Sequence, residues 1–241
     1  MKLFPFLSSA DDRGDVATSE SLVSPAPEST LPKLPLNVAR EVRQVNHSLR
    51  KHGWCTPLKA QESARSIYLA QPKLYVEVGV YGGRSLLPVA VALKHLGQGV
   101  AYGIEAWSGE VAVETPTSPE YDAHWGAYDF ARVKQACLRH MIRYRVLNQV
   151  KLLECRSREG IALLAGRIDM IHIDGSHSEY QALEDVRLAF DALAPRGYLW
   201  MDDIAWGSVG FALNFLHEQC ETIREYDEGS LGSYGLYRKR A

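Results

Sequence analysis

The sequence predicts an α/β protein: a Rossmann-like, doubly wound, mostly parallel sheet of seven strands with a C-terminal antiparallel hairpin. Three observations lead there. Between residues 74 and 201, short β-compatible apolar runs alternate with stretches of helical period, the pattern of βα units wound around a parallel sheet. The first run breaks into a glycine-rich turn, Glu77-Val-Gly79-Val-Tyr-Gly82-Gly83-Arg-Ser85, just before a helix begins. Two final short runs, 222–226 and 234–238, flank a glycine-containing turn at 229–233, as a hairpin requires.

The elements follow in order. Residues 8–35 are rich in Ser, Pro, Asp and Glu, and bury too little surface to offset the entropy of ordering, so 1–36 is expected to be a disordered tail. A charged, helix-compatible stretch at 37–51 and a second at 57–70, separated by Gly53-Trp54, predict a helical cap over 37–72. The remainder, 73–241, is expected to be one ligand-binding domain. Strand 74–78, helix 85–96 and strand 99–104 form its first βαβ unit. A polar, aromatic segment at 108–128 precedes helix 130–145, strand 150–154, a short helix at 158–165 and the buried strand 168–173. Helix 178–193, strand 198–201 and a helix near 209–220 lead into the hairpin. No internal repeat is visible.

Composition narrows the function. A chain of 241 residues with 46% hydrophobic content can bury one substantial core. Its formal net charge is −2 and its Lys and Arg are scattered, so nucleic acid is not an expected partner. The four cysteines include no Cys-x-x-Cys pair, which argues for reduced thiols rather than a zinc knuckle or disulfide framework. The opening Met-Lys-Leu-Phe-Pro-Phe-Leu is short and interrupted by Pro5, and no apolar run reaches the roughly 20 residues a bilayer span needs. A cytoplasmic chain with no membrane partner is expected.

In an open α/β sheet the ligand lies beyond the carboxyl ends of the strands. The first strand ends in Glu77 and Gly79, where the turn lets a ligand approach the backbone. The second ends in Glu105, able to accept hydrogen bonds from both ribose hydroxyls. Arg156 and Ser157 follow the third, near an adenine edge. Asp174-Gly-Ser-His177 closes the fourth and Asp202-Asp203 the next. Three carboxylates converging on a partly dry cleft need a cation or a proton to relieve their repulsion, and an all-oxygen set favours a hard ion such as Mg²⁺ over zinc. The other reading has Asp202 and Asp203 capping a loop while Asp174 bonds local amides. His177 either accepts a substrate proton or merely bonds a neighbouring carboxylate. His172, inside its apolar strand, reads as a core residue. Trp107, Tyr121, His124, Trp125 and Tyr128 either line the acceptor or pack as a satellite core.

The spacing of the first turn puts Tyr81 where a dinucleotide fingerprint needs a bare glycine, which disfavours NAD and FAD. The turn resembles motif I of class I S-adenosylmethionine (SAM) methyltransferases. With Gly53-Trp54-Cys55-Thr56, Gly103-Ile-Glu-Ala-Trp107-Ser108, His172-Ile-Asp-Gly-Ser-His-Ser178 and Trp200-Met-Asp-Asp203, the chain from Gly53 onward is similar to the Methyltransf_24 family. It departs from that family at Glu105-Ala106-Trp107, more often Asp-Pro-Trp, and at Pro195-Arg196-Gly197, usually Pro-Gly-Gly. The resemblance implies a class I methyltransferase fold with SAM held by Glu77, Gly79, Gly82, Gly83, Ser85, Glu105, Ala106, Trp107, Ser157 and Asp174. It implies His177 and Asp174 as catalytic residues, and Mg²⁺ at Asp174, Asp202 and Asp203, as in some related antibiotic- and sugar-modifying enzymes. The expected reaction is O-methylation of a small-molecule acceptor, a sugar or glycosylated metabolite, with a homo-oligomer allowed. The alternatives are an NAD- or nucleotide-sugar-linked oxidoreductase, for which no Tyr-x-x-x-Lys pair is present, and a non-catalytic binding domain.

Overall fold

The computed structural model describes residues 30–227 and 232–241. Most of the expected tail, and residues 229–231 of the expected hairpin turn, lie outside the described residues. Within 30–35, Leu31 is buried in the core.

Two helices come first, α1 (Leu36–Ser48) and α2 (Pro57–Ala70). α1 buries Val38, Val42 and Val45 along one face. α2 starts where Pro57 supplies a pre-set φ and Thr56 accepts the Lys59 N–H at 3.1 Å. Next come β1 (Leu74–Val78), α3 (Leu86–Leu96) and β2 (Val100–Ile104). Every residue of α3 from Leu86 to Leu93 is buried, because the helix is sandwiched between the sheet and the α1–α2 pair.

The aromatic segment holds two short helices, α4 (Gly109–Ala112) and α5 (Pro119–Gly126), capped by Ser108 and Ser118. Then follow α6 (Phe130–Arg143), β3 (Val150–Leu153), α7 (Ser157–Leu164), β4 (Ile168–Ile173) and α8 (Glu179–Ala192). The chain finishes with β5 (Leu193–Asp202), α9 (Gly210–Gln219), β6 (Cys220–Tyr226) and β7 (Tyr234–Lys239). β5 begins earlier than the periodicity predicts: Leu193 pairs with Ile168, the chain detours through Arg196 at φ 62°, and regular pairing resumes at Tyr198.

The seven strands are ordered β3-β2-β1-β4-β5-β7-β6. The first five are parallel; β7 runs antiparallel to both β5 and β6, so it alone is reversed. One face is covered by α1, α2, α3 and α6, the other by α7, α8 and α9. This is the predicted doubly wound sheet with its antiparallel hairpin, the class I methyltransferase fold.

The chain runs outward through β1, β2 and β3, then returns to place β4 beside β1. That reversal opens the crevice in which α/β proteins bind ligands. Gly79 stands at its base. Its φ is +88°, and an added Cβ would come within 1.9 Å of the Asp174 carbonyl oxygen, a backbone atom that cannot move aside. Gly97, at φ +73°, has nothing within 4 Å. Gly97→Ala should therefore cost only the left-handed penalty, about 1–2 kcal/mol. Gly79→Ala should exceed it by at least ~2 kcal/mol in urea denaturation, and equal costs would contradict the close approach of β1 and β4.

Candidate active site

One cleft of about 870 Å³ opens over the carboxyl ends of β1, β2, β3, β4 and β5, near the upper end of the usual range for ligand pockets. Its floor is Gly79, Val80 and Tyr81 on one side and Asp174, Gly175 and Ser176 on the other. Glu105, Ala106, Ser157, His177, Asp202 and Asp203 also line it, as the strand-end argument requires.

The glycine-rich turn is held by acids. Glu105 accepts from the Tyr81 amide at 2.9 Å through Oε2 and from the Trp107 amide at 3.0 Å through Oε1. Both amides belong to residues at positive φ, Tyr81 at 47° and Trp107 at 43°, and the Trp107 indole N–H donates to the Tyr81 carbonyl at 2.9 Å. Burial raises the Glu105 pKa, partly offset by these amides. Glu77 lies elsewhere than a cofactor contact requires. It is fully buried beneath the turn, accepting from Ser85 Oγ at 2.8 Å and from the Tyr75 hydroxyl at 3.2 Å, and does not line the cleft. Gly82 and Gly83 also face away from the cleft. A Cβ on Gly82 would strike the His52 carbonyl at 2.5 Å, and one on Gly83 would meet Cys137 Sγ at 2.9 Å. Trp107 is buried behind Ala106. Arg84, unremarked in the sequence, lines the cleft with a buried Nε that has no hydrogen-bond partner, while its Nη1 donates to the Gly53 carbonyl at 2.7 Å.

At the opposite end the carboxylates converge, together with Lys59, which the strand-end argument does not reach, and His172, which is the buried core residue its apolar strand predicts. Lys59, from α2 and only 3% exposed, puts Nζ 2.6 Å from Asp202 Oδ1 and 3.6 Å from Asp203 Oδ1. His172 lies between Glu77 and Asp202: Nδ1 is 3.3 Å from Glu77 Oε2, and Nε2 is 3.6 Å from Asp202 Oδ2, an ion pair too long for a hydrogen bond. Burial lowers the His172 pKa, but the two carboxylates outweigh it and push it up to about 10. Asp202 is held well below the carboxylate range because Lys59 and His172 overcome its desolvation. Asp174 has no ion pair among the described residues; burial and the Asp202 charge raise its pKa.

Converging acids need a cation or a proton, and the structure offers both: the Lys59 ammonium beside Asp202 and a raised pKa at Asp174. The donor set does not suit Mg²⁺. Atoms of His172, Asp174 and Asp202 come within 4.8 Å of one another, whereas Asp203 stands outside that group and is bonded to His177. Lys59 would repel a dication on Asp202 with roughly 4 kcal/mol per unit charge at ~4 Å and an effective dielectric near 20, doubled for a double charge.

His177 Nε2 is 2.7 Å from Asp203 Oδ2, and its Nδ1 is 3.3 Å from the Tyr121 hydroxyl. An ionised Asp203 can only accept, so Nε2 carries the proton and Nδ1 is the acceptor in the neutral ring. Trp206 stacks on the imidazole at 4.6 Å. Tyr121 belongs to α5, and the segment linking α4 to α5 is tied down by Glu114 to Arg156 at 2.8 Å and by Ser178 donating to Thr115 at 2.9 Å. The aromatic segment packs as the satellite core of the second reading, and its rings also face the cleft. Trp125 and Tyr128 pack around Tyr81, with Phe130 behind them, and the same rings line the cleft.

A family model described as a methyltransferase domain, Methyltransf_24, matches residues 76–204, more than half of the chain. The chain belongs to this methyltransferase family. Among curated proteins none matches the sequence. Solved structures share the fold at low identity. A putative O-methyltransferase from Klebsiella pneumoniae is 18% identical with a TM-score of 0.59, covering 88% of this chain and 93% of its own. The O-methyltransferase TomG from Streptomyces achromogenes, solved with SAM, is 14% identical with a TM-score of 0.59, covering 86% and 92%. An O-methyltransferase from Bacillus cereus, solved with S-adenosylhomocysteine (SAH), is 13% identical with a TM-score of 0.58, covering 86% and 92%. No helix among the described residues of this methyltransferase is long and apolar enough to cross a membrane.

The buried His172 carries a pH prediction. Its folded pKa is raised above 6.5, so its contribution to stability is complete below about pH 6.5 and is lost as pH rises toward 10. Thermal melting of the wild type should fall across that interval, and His172→Gln should melt lower at pH 7 with a flatter slope. A wild-type curve as flat as the variant's would show that His172 is neutral.

Proposed function

We propose that this protein transfers the methyl group of SAM to the hydroxyl of a small molecule, with His177 as general base and Asp203 as the residue that orients it. The observation that carries this reading is a single cleft joining the glycine-rich turn to a His–Asp pair whose free nitrogen already accepts from a hydroxyl.

The chain offers a complementary partner for each part of SAM. The unpartnered Arg84 Nε suits the carboxylate of the methionine end, and Asp174, which lacks an ion pair, suits its ammonium. Glu105 keeps lone pairs for the ribose beyond the two amides it already accepts. Ser157, Gln181 and Asp185 form a polar end for the adenine. Ser85 lines the cleft and also donates to Glu77, whereas Glu77, Gly82, Gly83 and Trp107 act indirectly, by shaping the turn.

SAM, when bound, supplies an electrophilic methyl group on its sulfonium. His177 Nδ1 accepts the hydroxyl proton as the acceptor oxygen becomes the nucleophile, and Nε2–H stays on Asp203, which stabilises the imidazolium that forms. The Tyr121 hydroxyl marks where an acceptor hydroxyl would sit, so the acceptor displaces it. Trp54, half exposed, and Trp125 present ring faces at the mouth, which suit a sugar or glycosylated metabolite. Alignment of oxygen and methyl carbon contributes most, up to roughly 7–11 kcal/mol in favourable intramolecular systems.

Calorimetry should detect SAM and SAH binding and no heat for NAD. Glu105→Ala should weaken SAH by at least about tenfold, worth ~1.4 kcal/mol. Screened against sugar and phenolic acceptors, His177→Asn should lower turnover by about 10²–10⁴-fold while leaving SAH affinity unchanged. Folded wild-type protein that gives no heat with either SAM or SAH would overturn the proposal.

A further inference from the structure

The acceptor end of the cleft carries its own cation. Lys59 is rooted in the first turn of α2, behind the Pro57 and Thr56 cap, so its backbone is fixed where the helix meets the carboxyl end of β5. Its ammonium reaches the cleft wall and is neutralised by Asp202 at 2.6 Å and Asp203 at 3.6 Å. One oxygen of Asp202 is thereby occupied. Oδ1 takes Lys59 and the Asp203 amide at 3.2 Å, and Oδ2 faces His172. Asp203 Oδ2 is occupied by His177. Lys59 therefore stands among the carboxylates that would otherwise attract a divalent ion, and an ammonium with three N–H donors, one of them on Asp202 at 2.6 Å, retains at least one donor for a further oxygen.

We infer that the Lys59 ammonium is the resident cation of this site, held in place of a divalent metal ion, so that the protein keeps its acidic corner charge-balanced without binding metal. That the spare donor meets an acceptor oxygen rests on the O-methyltransferase reading above; the displacement of metal does not. A bound dication lends itself to loss and exchange, whereas a lysine fixed on a helix is always present and carries half the charge. The cation then polarises an adjacent oxygen more weakly, which leaves proton removal to the His177–Asp203 pair.

Mn²⁺ titration of the full-length protein saturated with SAH, followed by electron paramagnetic resonance of the free ion, tests this directly. The wild type should bind no Mn²⁺ up to millimolar concentration. Lys59→Met, close in length but uncharged, should gain a site at least about tenfold tighter than any in the wild type, and adding Asp202→Asn should remove it. Micromolar Mn²⁺ binding by the wild type, abolished by Asp202→Asn, would overturn the inference. So would a folded Lys59→Met protein that takes up no Mn²⁺. Should Lys59→Met fail to fold because its acids lose their counter-charge, the wild-type titration decides alone. Calorimetry with SAH on the same wild-type sample separates the two ideas. Silence toward SAH would remove the cofactor reading, whereas Mn²⁺ uptake would remove the role of Lys59.

Discussion

A row of buried charges fixes the relation between the helical cap and the sheet. Glu77 on β1 is in register with His172 on β4, and His172 with Trp200 on β5, two residues before Asp202 on the same face. Alternation along each strand therefore lines up Glu77, His172 and Asp202 across three strands on the side covered by α2 and α3. The helices answer that row. Ser85, at the start of α3, bonds Glu77; Lys59 of α2 pairs with Asp202; and Glu62, one turn further along α2, meets Arg224 at 3.1 Å and the Tyr234 hydroxyl at 3.2 Å. Such pairs contribute little net stability compared with apolar packing, yet removing one member strands its partner at a cost of about 3–5 kcal/mol. They act as registration pins. α2 fits this sheet in one rotation and one translation, and the same fit carries Lys59 to the cleft.

The cofactor end depends on strain held by hydrogen bonds. Tyr81 and Trp107 both sit at positive φ without being glycine, which costs of order 1–3 kcal/mol each. A single carboxylate, Glu105, satisfies the amides of both, and the Trp107 indole closes the triangle onto the Tyr81 carbonyl. The turn is thus shaped by its own acid before any ligand arrives, so binding need not fund its ordering. Tyr81 also explains why a side chain occupies the position that a dinucleotide would want bare. Its ring is packed between Trp54, Trp125 and Tyr128, joining the turn to the aromatic wall of the cleft.

The strands and most helices were legible because burial on both faces leaves apolar runs, and helices between them keep their period. The strand-end rule likewise put Gly79, Glu105, Asp174, His177, Asp202 and Asp203 at one rim. It could not separate a residue that faces the cleft from one that props it. Glu77 points into the core, Ser85 lines the cleft while donating to Glu77, and a Cβ on Gly82 or Gly83 would strike His52 or Leu87 and Cys137. Lys59 escaped for a related reason. Lys59, Glu62, Ser63 and Ser66 form a polar stripe at helical spacing, which on an isolated helix marks the solvent side. All four are buried, because the sheet beneath presents a polar row of its own. His172 is the buried core residue that its apolar strand predicts, but the strand says nothing about which acids flank it. Periodicity reports hydrophobicity along one element; charge complementarity between elements appears only once they are packed.

The distribution of charge around the cleft follows from these constraints. Asp202 and Glu77 have their cations supplied by the fold, through Lys59 and His172, and Asp203 is coupled to His177. Asp174 is left without one among the described residues, on the strand between the glycine-rich turn and the acidic corner. A positively charged ligand is favoured there and an anionic one opposed, which agrees with a cofactor whose reactive end bears an ammonium and a sulfonium and disagrees with a pyrophosphate. On the proposed reading the base stands on the side away from the ligand's charge, where Asp203 keeps the His177 ring in the tautomer that accepts at Nδ1. Tyr121 holds that nitrogen from α5, so the group that an acceptor must displace is carried by the same segment that walls the acceptor in. On the proposed reading, substrate entry and release of His177 Nδ1 both require the Tyr121 hydroxyl to leave its 3.3 Å contact with that nitrogen.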